Sequence, residues 1–369
     1  MKLRNTLLLA VLGFFCFGCS SLKSDAAENS VLPATTLKPY GRTMVNDAQQ
    51  LELITSAAHF GYTFEGTESQ VFASVPDGGT HGYLQYELDG KYQKRVKIAP
   101  NATAPVLVKA PTAGKHTVWI YKATEAHTGP IRIEKVVGEN VSVVQKPDVP
   151  LIEFIGNSIT SGAAADPSEV PCNTAEYHDQ HNAYMAYGPR VARALGADFV
   201  LNSVSGIGVY RNWNSDGPTM PQVYEKLDFQ KDTPHRWNFD KVTPQLVSIA
   251  LGTNDFSLGD GIKERLPFDS TRFVNNYIEF VQQVKANYPQ AQIALLSSPM
   301  VHGQNGATLE NSLKRVKETI DRRYPSDKPV ALYFFQPMQA NGCTGHPSVE
   351  DHAVMAKELE PFFRKLLAQ

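Results

Sequence analysis

The sequence predicts two folded parts: an antiparallel, jelly-roll-like β-sandwich, then an α/β domain built on a doubly wound parallel sheet. Three observations carry this. Residues 36–146 are short alternating runs broken by Gly, Pro, Asn and Asp, with no helical pattern of any length. From residue 147 onward, apolar runs alternate with segments of helical spacing, and such strand-helix alternation requires crossovers that lay helices on both faces of a parallel sheet. The 369 residues, 42% of them hydrophobic and 20% charged, suffice for about two ordinary globular cores at ~150 residues each.

Residues 1–19 stand outside both parts. Lys2 and Arg4 form a basic start and Leu7 to Gly18 an apolar run, about a dozen residues and too short to span a bilayer, so the segment reads as an export signal. Gly18-Cys19 resembles the lipidation site of bacterial lipoproteins, which implies a cell-surface protein anchored through Cys19. Cleavage after Ala26 or Ala27 would instead release a secreted protein. Residues 20–35 begin as a stretch rich in Ser and Ala and read as a linker.

Within the sandwich, Leu84, Tyr86 and Leu88 alternate with polar residues before Asp89-Gly90, a hairpin signal. Val106 to Val108, Thr117 to Lys122 and Ile131 to Val137 continue the series. Trp119 and Tyr121 are read as core aromatics rather than a sugar platform. Pro147 to Pro150 closes this part, and residues 147–369 form the second domain. Its strands are Leu151 to Ile155, Phe199 to Val204, Leu246 to Leu251, Ile293 to Leu296 and Val330 to Phe335. Helical faces carry Tyr184, Tyr187, Val191 and Leu195, then Phe273, Tyr277, Phe280, Val281 and Val284, then Leu309, Leu313, Val316 and Ile320. A last helix opens on Ser348 and Asp351 in a capping-box relation and buries Leu359, Phe362, Phe363 and Leu366.

Ligands on open parallel sheets bind just beyond the carboxyl ends of the strands, and four small polar motifs fall there. Gly156-Asn157-Ser158-Ile159-Thr160 follows the first strand, Ser205-Gly206-Ile207-Gly208 the second and Leu251-Gly252-Thr253-Asn254-Asp255 the third. Gly342-Cys343-Thr344-Gly345-His346 precedes the last helix. A serine hydroxyl needs a base to take its proton and donors for the oxyanion, and these motifs supply an imidazole, an amide and a glycine backbone. A lone serine in such a turn is ordinarily a turn or cap residue, and a lone histidine is ordinarily structural; the reading rests on the set. It is not a Gly-x-Ser-x-Gly elbow, because Thr160 stands where the second glycine is needed.

In this order the motifs resemble the blocks of SGNH (GDSL-type) hydrolases, and the stretch from about residue 150 to 360 is similar to carbohydrate esterase family 2. That resemblance implies a flavodoxin-like sheet behind a β-sandwich, Ser158 as nucleophile, His346 as base, and an oxyanion hole from Ser158, Gly206 and Asn254. It also implies removal of O-acetyl groups from plant polysaccharide, xylan or glucomannan, including a sugar 6-hydroxyl. Most SGNH hydrolases carry an aspartate three residues before the histidine; here that residue is Cys343, so the resemblance implies a Ser-His dyad whose ring is oriented by a backbone carbonyl. Asp351 is the less favoured alternative, and Asp255 is read as a helix cap.

Once an export signal is removed, Cys172 and Cys343 are the cysteines left. An oxidising compartment favours their pairing, since the loops carrying them must meet if Ser158 and His346 do; two buried thiols are the alternative. Tyr210 and Trp213 are candidates for a sugar-stacking wall, with simple packing as the equal alternative. His178 and His181 invite a metal reading, but no third ligand is obvious and the stretch reads as a solvated loop, so neither metal nor cofactor is expected. A net charge of -2 speaks against nucleic acid or an anionic membrane surface as partner and suits a neutral, acetylated sugar. The competing readings are a short-chain lipid or aryl esterase of the same fold, and a non-catalytic glycan-binding surface lipoprotein.

Overall fold

The computed structural model describes residues 29–368; the export signal, Cys19 and residues 20–28 of the linker lie outside them. The first part is antiparallel. Its strands are β1 (Asn29–Pro33), β2 (Thr43–Val45), β3 (Leu51–Leu53), β4 (His59–Ser74), β5 (Gly82–Leu88), β6 (Lys91–Ile98), β7 (Val106–Lys109), β8 (His116–Lys122) and β9 (Ile131–Val144). They hydrogen-bond in the order β2-β3-β9-β4-β8-β5-β6, with β1 added to β9 and β7 to β4. The two long strands, β4 and β9, pair with each other through register shifts at Thr63/Glu65, Glu65/Ser69 and Phe72/Ala73. Such bulges bend a ladder, so one continuous sheet folds over a core of Leu53, Phe60, Phe64, Val71, Leu84, Val118 and Ile133. Asp89 and Gly90 both have positive φ, the geometry a two-residue hairpin needs to match strand twist.

Two sequence expectations fail here, each through a contact remote in sequence. The linker expected to run to residue 35 contains β1, paired with β9 from Asn29↔Glu139 to Pro33↔Lys135. Strand β5 does not alternate between buried and exposed, because its second face is covered by the next domain: Gln85, fully buried, donates to Asn182 Oδ1 at 2.8 Å.

The second part has a five-stranded parallel sheet of β10 (Leu151–Gly156), β11 (Asp198–Ser203), β12 (Leu246–Ala250), β13 (Gln292–Leu296) and β14 (Ala331–Tyr333), in the order β11-β10-β12-β13-β14. The order reverses at β10, so a crevice opens between the ends of β10 and β12. Helices α1 (Ser158–Ser161), α2 (Tyr187–Ala194), α3 (Met220–Val223), α4 (Thr253–Phe256), α5 (Ser270–Asn287), α6 (Gly303–Arg323) and α7 (Val349–Leu367) complete it. The apolar stripe of α5 (Phe273, Tyr277, Phe280, Val281, Val284) and that of α6 (Leu309, Leu313, Val316, Ile320) share one core. Helices α2 and α7 fill the other face, through Tyr187, Val191, Leu359, Phe363 and Leu366. Tyr184 falls in a short 3-10 turn before α2 rather than in the helix. Ser348 and Asp351 form the reciprocal N-terminal cap of α7, at 2.9 and 3.2 Å.

The segment His178-Asp179-Gln180-His181, expected as a solvated loop, is instead a buried part of the junction between the two domains. Asp179 accepts from His81 at 2.7 Å and from Tyr83 at 2.5 Å, while Arg95 donates to the carbonyls of Asp179 (2.7 Å) and His181 (3.0 Å). Buried polar groups cost free energy unless paired, and here the sandwich supplies the partners. Arg42 works likewise, donating to Asn202 Oδ1 and the Tyr224 carbonyl while its guanidinium lies 4.3 Å from the Phe229 ring centre. Tyr121 and Trp119 pack into the same junction, against the core of β10, β11 and α2.

Candidate active site

Ser158 is the first residue of α1, immediately past β10. The turn is tight: a Cβ on Gly156 would sit 2.0 Å from Thr160 Oγ1, and Asn157 caps the helix by accepting the Ile159 N–H at 3.1 Å. Gly206 lies past β11 with φ +75°, a conformation that costs glycine little. Neither the Ser158 N–H nor the Gly206 N–H donates to an acceptor among the described residues.

Asn254 sits in α4, past β12. Its Nδ2 donates to the Ile207 carbonyl at 2.8 Å, which fixes the amide and leaves one of its two N–H groups uncommitted. Asp255 does more than the helix cap expected of it. Fully buried, its carboxylate accepts the backbone N–H groups of Val209 (3.0 Å), Tyr210 (2.9 Å) and Arg211 (3.3 Å) and so ties the Gly206 loop to α4. A Cβ on Gly208 would lie 2.7 Å from that carboxylate, so the approach requires glycine.

His346 ends a turn in which Thr344 and Gly345 both take positive φ. Its Nδ1 is 3.2 Å from the Thr344 carbonyl oxygen and 3.2 Å from Thr344 Oγ1. A carbonyl only accepts, so the geometry suits a proton on Nδ1 and a free lone pair on Nε2. Burial holds the imidazole pKa below its ordinary value and outweighs the opposing pull of the Glu125 charge. The turn is fastened to the serine domain's other loops by Cys343 N–H to Ala164 O (2.8 Å) and Val349 N–H to Ala165 O (3.1 Å). A disulfide joins Cys343 to Cys172. Asp351 is engaged elsewhere, accepting from Asn341 Nδ2 at 2.9 Å and from the Asn341 and Ser348 backbone.

Ser158, Gly206, Asn254 and His346 line one cavity of about 450 Å3, together with Tyr177, Ser205, Trp213 and Thr344. Trp213, 45% exposed, is a wall of it and also of a neighbouring cavity of about 660 Å3 that includes His127, Asn214, Gln230 and Lys231. Tyr210, expected beside Trp213 as a stacking surface, does not line the cavity: its ring packs on Phe268 and Phe273 and its hydroxyl accepts the Asp269 N–H at 3.1 Å. A cavity of about 780 Å3 lies at the opposite end of the strands, beside Lys146, Leu151 and Asp198, and contains none of the four residues. Among the described residues no cluster of three or more His, Cys, Asp or Glu could hold a metal, and no helix is long and apolar enough to cross a membrane.

Two residues of the site were not foreseen. The Tyr177 hydroxyl lies 3.2 Å from His346 Nε2 and 3.3 Å from Ser205 Oγ; among the described residues it, not Ser158, is the hydrogen-bond partner of that nitrogen. Although the side chain is 38% exposed, loss of hydration around the hydroxyl pushes its pKa up, so it keeps its proton. Glu125 comes from the sandwich, 2% exposed, and its carboxylate accepts both the N–H (2.7 Å) and the Oγ of Ser205. Neither has a local motif; Glu125 is recognisable only from what it meets across the domain junction, and Tyr177 only from what it meets far along the chain in its own domain.

Residues 154–328 match the GDSL-like lipase/acylhydrolase family and residues 40–147 match the carbohydrate esterase 2 N-terminal domain. Over an aligned span of 373 positions that covers the whole of this chain, the sequence is 25% identical to an acetylxylan esterase / glucomannan deacetylase of Cellvibrio japonicus, covering 99% of that protein. A second Cellvibrio japonicus protein of the same description is 30% identical over 83% of this chain and 87% of its own length. Among solved structures, a family two carbohydrate esterase from Clostridium thermocellum in complex with cellohexaose superposes with a TM-score of 0.77 at 27% identity, covering 92% of this chain and 99% of the other.

Proposed function

The chain belongs to the GDSL-like acylhydrolases of carbohydrate esterase family 2 and is a carboxylic ester hydrolase, and we propose that it works through an acetyl-enzyme on Ser158. His346 Nε2 takes the Ser158 proton as Oγ attacks the acetyl carbonyl, then returns it to the departing sugar oxygen; water, activated by the same imidazole, releases acetate. The Thr344 carbonyl holds the Nδ1 proton and orients the ring, the part a carboxylate plays in a triad. The Ser158 and Gly206 N–H groups and the uncommitted Asn254 N–H receive the oxyanion. For the serine proton to reach Nε2, the Tyr177 hydroxyl gives up its hydrogen bond to that nitrogen as substrate enters. The observation that carries the reading is the convergence of Ser158, Gly206, Asn254 and His346 on one cavity from four separate loops.

The substrate we propose is the O-acetyl group of xylan or glucomannan, including esters of the sugar 6-hydroxyl, by analogy with the names of the two Cellvibrio relatives. Two features support a carbohydrate over a lipid. The catalytic cavity is small, about 450 Å3, and the space beyond Trp213 has the polar side chains of Asn214, Gln230 and Lys231 in its lining beside apolar ones such as Phe229. Stacking of a sugar ring on the exposed indole gives that residue its role. We also propose that the protein is exported through its N-terminal signal and held at the cell surface by a lipid on Cys19, or released by cleavage after Ala26 or Ala27. The test of the reaction is a 4-nitrophenyl ester series: acetate hydrolysed well, butyrate and longer chains poorly. Equal rates on long acyl chains would favour a lipid esterase.

A further inference from the structure

Among the described residues no carboxylate hydrogen-bonds to His346, yet one is buried three hydrogen bonds away, on the other domain. Glu125 Oε2 accepts the Ser205 N–H at 2.7 Å, and Ser205 Oγ donates to Oε1. With the Ser205 proton committed to Glu125, its oxygen lone pairs face the Tyr177 hydroxyl at 3.3 Å, and that hydroxyl faces His346 Nε2 at 3.2 Å. His181 Nδ1 accepts the Ala164 N–H at 3.1 Å, which leaves Nε2 to carry a proton toward Glu125 Oε1, 3.3 Å away. Behind the carboxylate, fully buried Lys122 donates from Nζ to the carbonyls of Ile54, Thr124 and Glu125, which fixes the turn that carries Glu125 across the junction.

We propose that Glu125 is a positioning residue for the esterase reaction, a carboxylate lent by the sandwich domain that acts on His346 through Ser205 and Tyr177 and sets the Ser205–Gly206 peptide. When His346 is neutral, Tyr177 O–H donates to Nε2. When it is the imidazolium in the free enzyme, Nε2–H donates to the Tyr177 oxygen, the Tyr177 proton turns to Ser205 Oγ, and Ser205 remains donated to Glu125; once substrate has entered and Nε2 serves Ser158, the Tyr177 proton stays on Ser205 Oγ. Every hydrogen bond in the chain then points toward the buried negative charge. The same carboxylate holds the Ser205 N–H, so the next peptide presents the Gly206 N–H to the cavity. The sandwich is then part of the active site and not an appended module.

Charge at this place is supported independently. Burial alone would raise the Glu125 pKa, but His181 and the two Ser205 donors hold it at about 2, so it is ionised across the working range. The titratable groups around His346 are Tyr177, Glu125, His181 and, on α7, His352; Glu125 is the one that raises its pKa, whereas His181 lowers it. Removing the charge therefore moves the acid limb of kcat/KM to lower pH.

This inference rests on the serine-esterase reading, so both are tested in one assay on the full chain, with functional sites counted by an organophosphate that titrates active serines. Glu125→Gln is expected to lower kcat per site about tenfold to a hundredfold, as a displaced oxyanion donor does, with KM changed less than about threefold and the acid limb shifted down. Ser205→Ala, which cuts the chain but keeps the backbone donor, shifts the limb in the same direction with a smaller loss of kcat. If Glu125→Gln fails to fold, Ser205→Ala carries the test alone. Wild-type kcat per site with an unmoved limb, in whichever variant folds, overturns the proposal; so does a loss accounted for wholly by fewer functional sites. Failure of the underlying reading looks different, because Ser158→Ala would then keep its activity.

Discussion

Asn254→Ala removes a donor that the structure has already aimed. The amide is 7% exposed and its Nδ2 is held on the Ile207 carbonyl at 2.8 Å, so its second N–H points into the cavity with no freedom to turn away. An amide pinned in this way costs no reorganisation when charge develops on the acetyl oxygen, and losing one such donor raises the barrier by about 2.7 to 4 kcal/mol. That is about a hundredfold to a thousandfold in kcat. The ground-state carbonyl gains little from the same donor, so KM stays within about threefold. The substitution also frees the Ile207 carbonyl, a stability loss of about 1 kcal/mol that leaves the fold intact. Steady-state kinetics on 4-nitrophenyl acetate, with melting temperature measured alongside, decide the matter. A rise in KM at unchanged kcat would refute the reasoning, because it would mean that Asn254 binds substrate and transition state equally. Asn254→Asp serves as a control: of the same size but acceptor-only when ionised, it should be no better than alanine.

The acid limb of kcat/KM should lie below pH 6.5, because burial disfavours the imidazolium of His346; activity is present where the ring is neutral, above that limb, and is lost as pH falls through it. A limb above 6.5 would contradict the burial argument. Reduction of the Cys172–Cys343 bridge, or Cys172→Ser, should lower activity before it melts the fold; the bridge spans 171 residues and by chain entropy contributes at most about 5 kcal/mol. Thermal melts and rates across a reductant titration check this, and parallel loss of both would contradict it. Asp351→Ala should destabilise the protein by about 1 to 2 kcal/mol, through loss of the α7 cap and the Asn341 contacts, without changing kcat; a kcat loss as large as that of His346→Ala would restore a triad acid. Asp255→Ala should lower kcat and stability together, because three backbone N–H groups of the Gly206 loop lose their acceptor at once; an unchanged kcat would mean the loop holds its shape unaided.

What was legible in the sequence is what depends on local period. The apolar runs ending at Ile155, Val204 and Leu251 mark strand ends, and a parallel sheet places strand ends together, so the motifs carrying Ser158, Gly206 and Asn254 are readable as neighbours, while the choice of those residues within them rests on the resemblance to SGNH hydrolases. The α5 and α6 stripes were readable because burial of one face repeats every three to four residues. What was not legible depends on contacts remote in the chain. Nothing near Glu125 announces that it meets Ser205, 80 residues on, and the burial of His178 to His181 follows from His81, Tyr83 and Arg95 on the other domain. Tyr177 reads as one more loop aromatic until the fold brings it to His346, 169 residues away. Tyr210 misled for the converse reason. An aromatic beside a glycine loop suits a binding wall, but the hydrophobic neighbours Phe268 and Phe273, supplied by a later segment, hold it half-buried against the core.

The most direct test of the central claim is acetate release from acetylated glucomannan and acetylated xylan by wild type and by Ser158→Ala, both shown to be folded. The substitution removes one oxygen from a helix N-terminus whose cap, the Asn157 side chain on the Ile159 N–H, it does not touch, so the fold should be unaffected. The account predicts that release falls to the uncatalysed background while the melting temperature stays within a few degrees. Acetate released by the folded variant at a rate near that of wild type would contradict it.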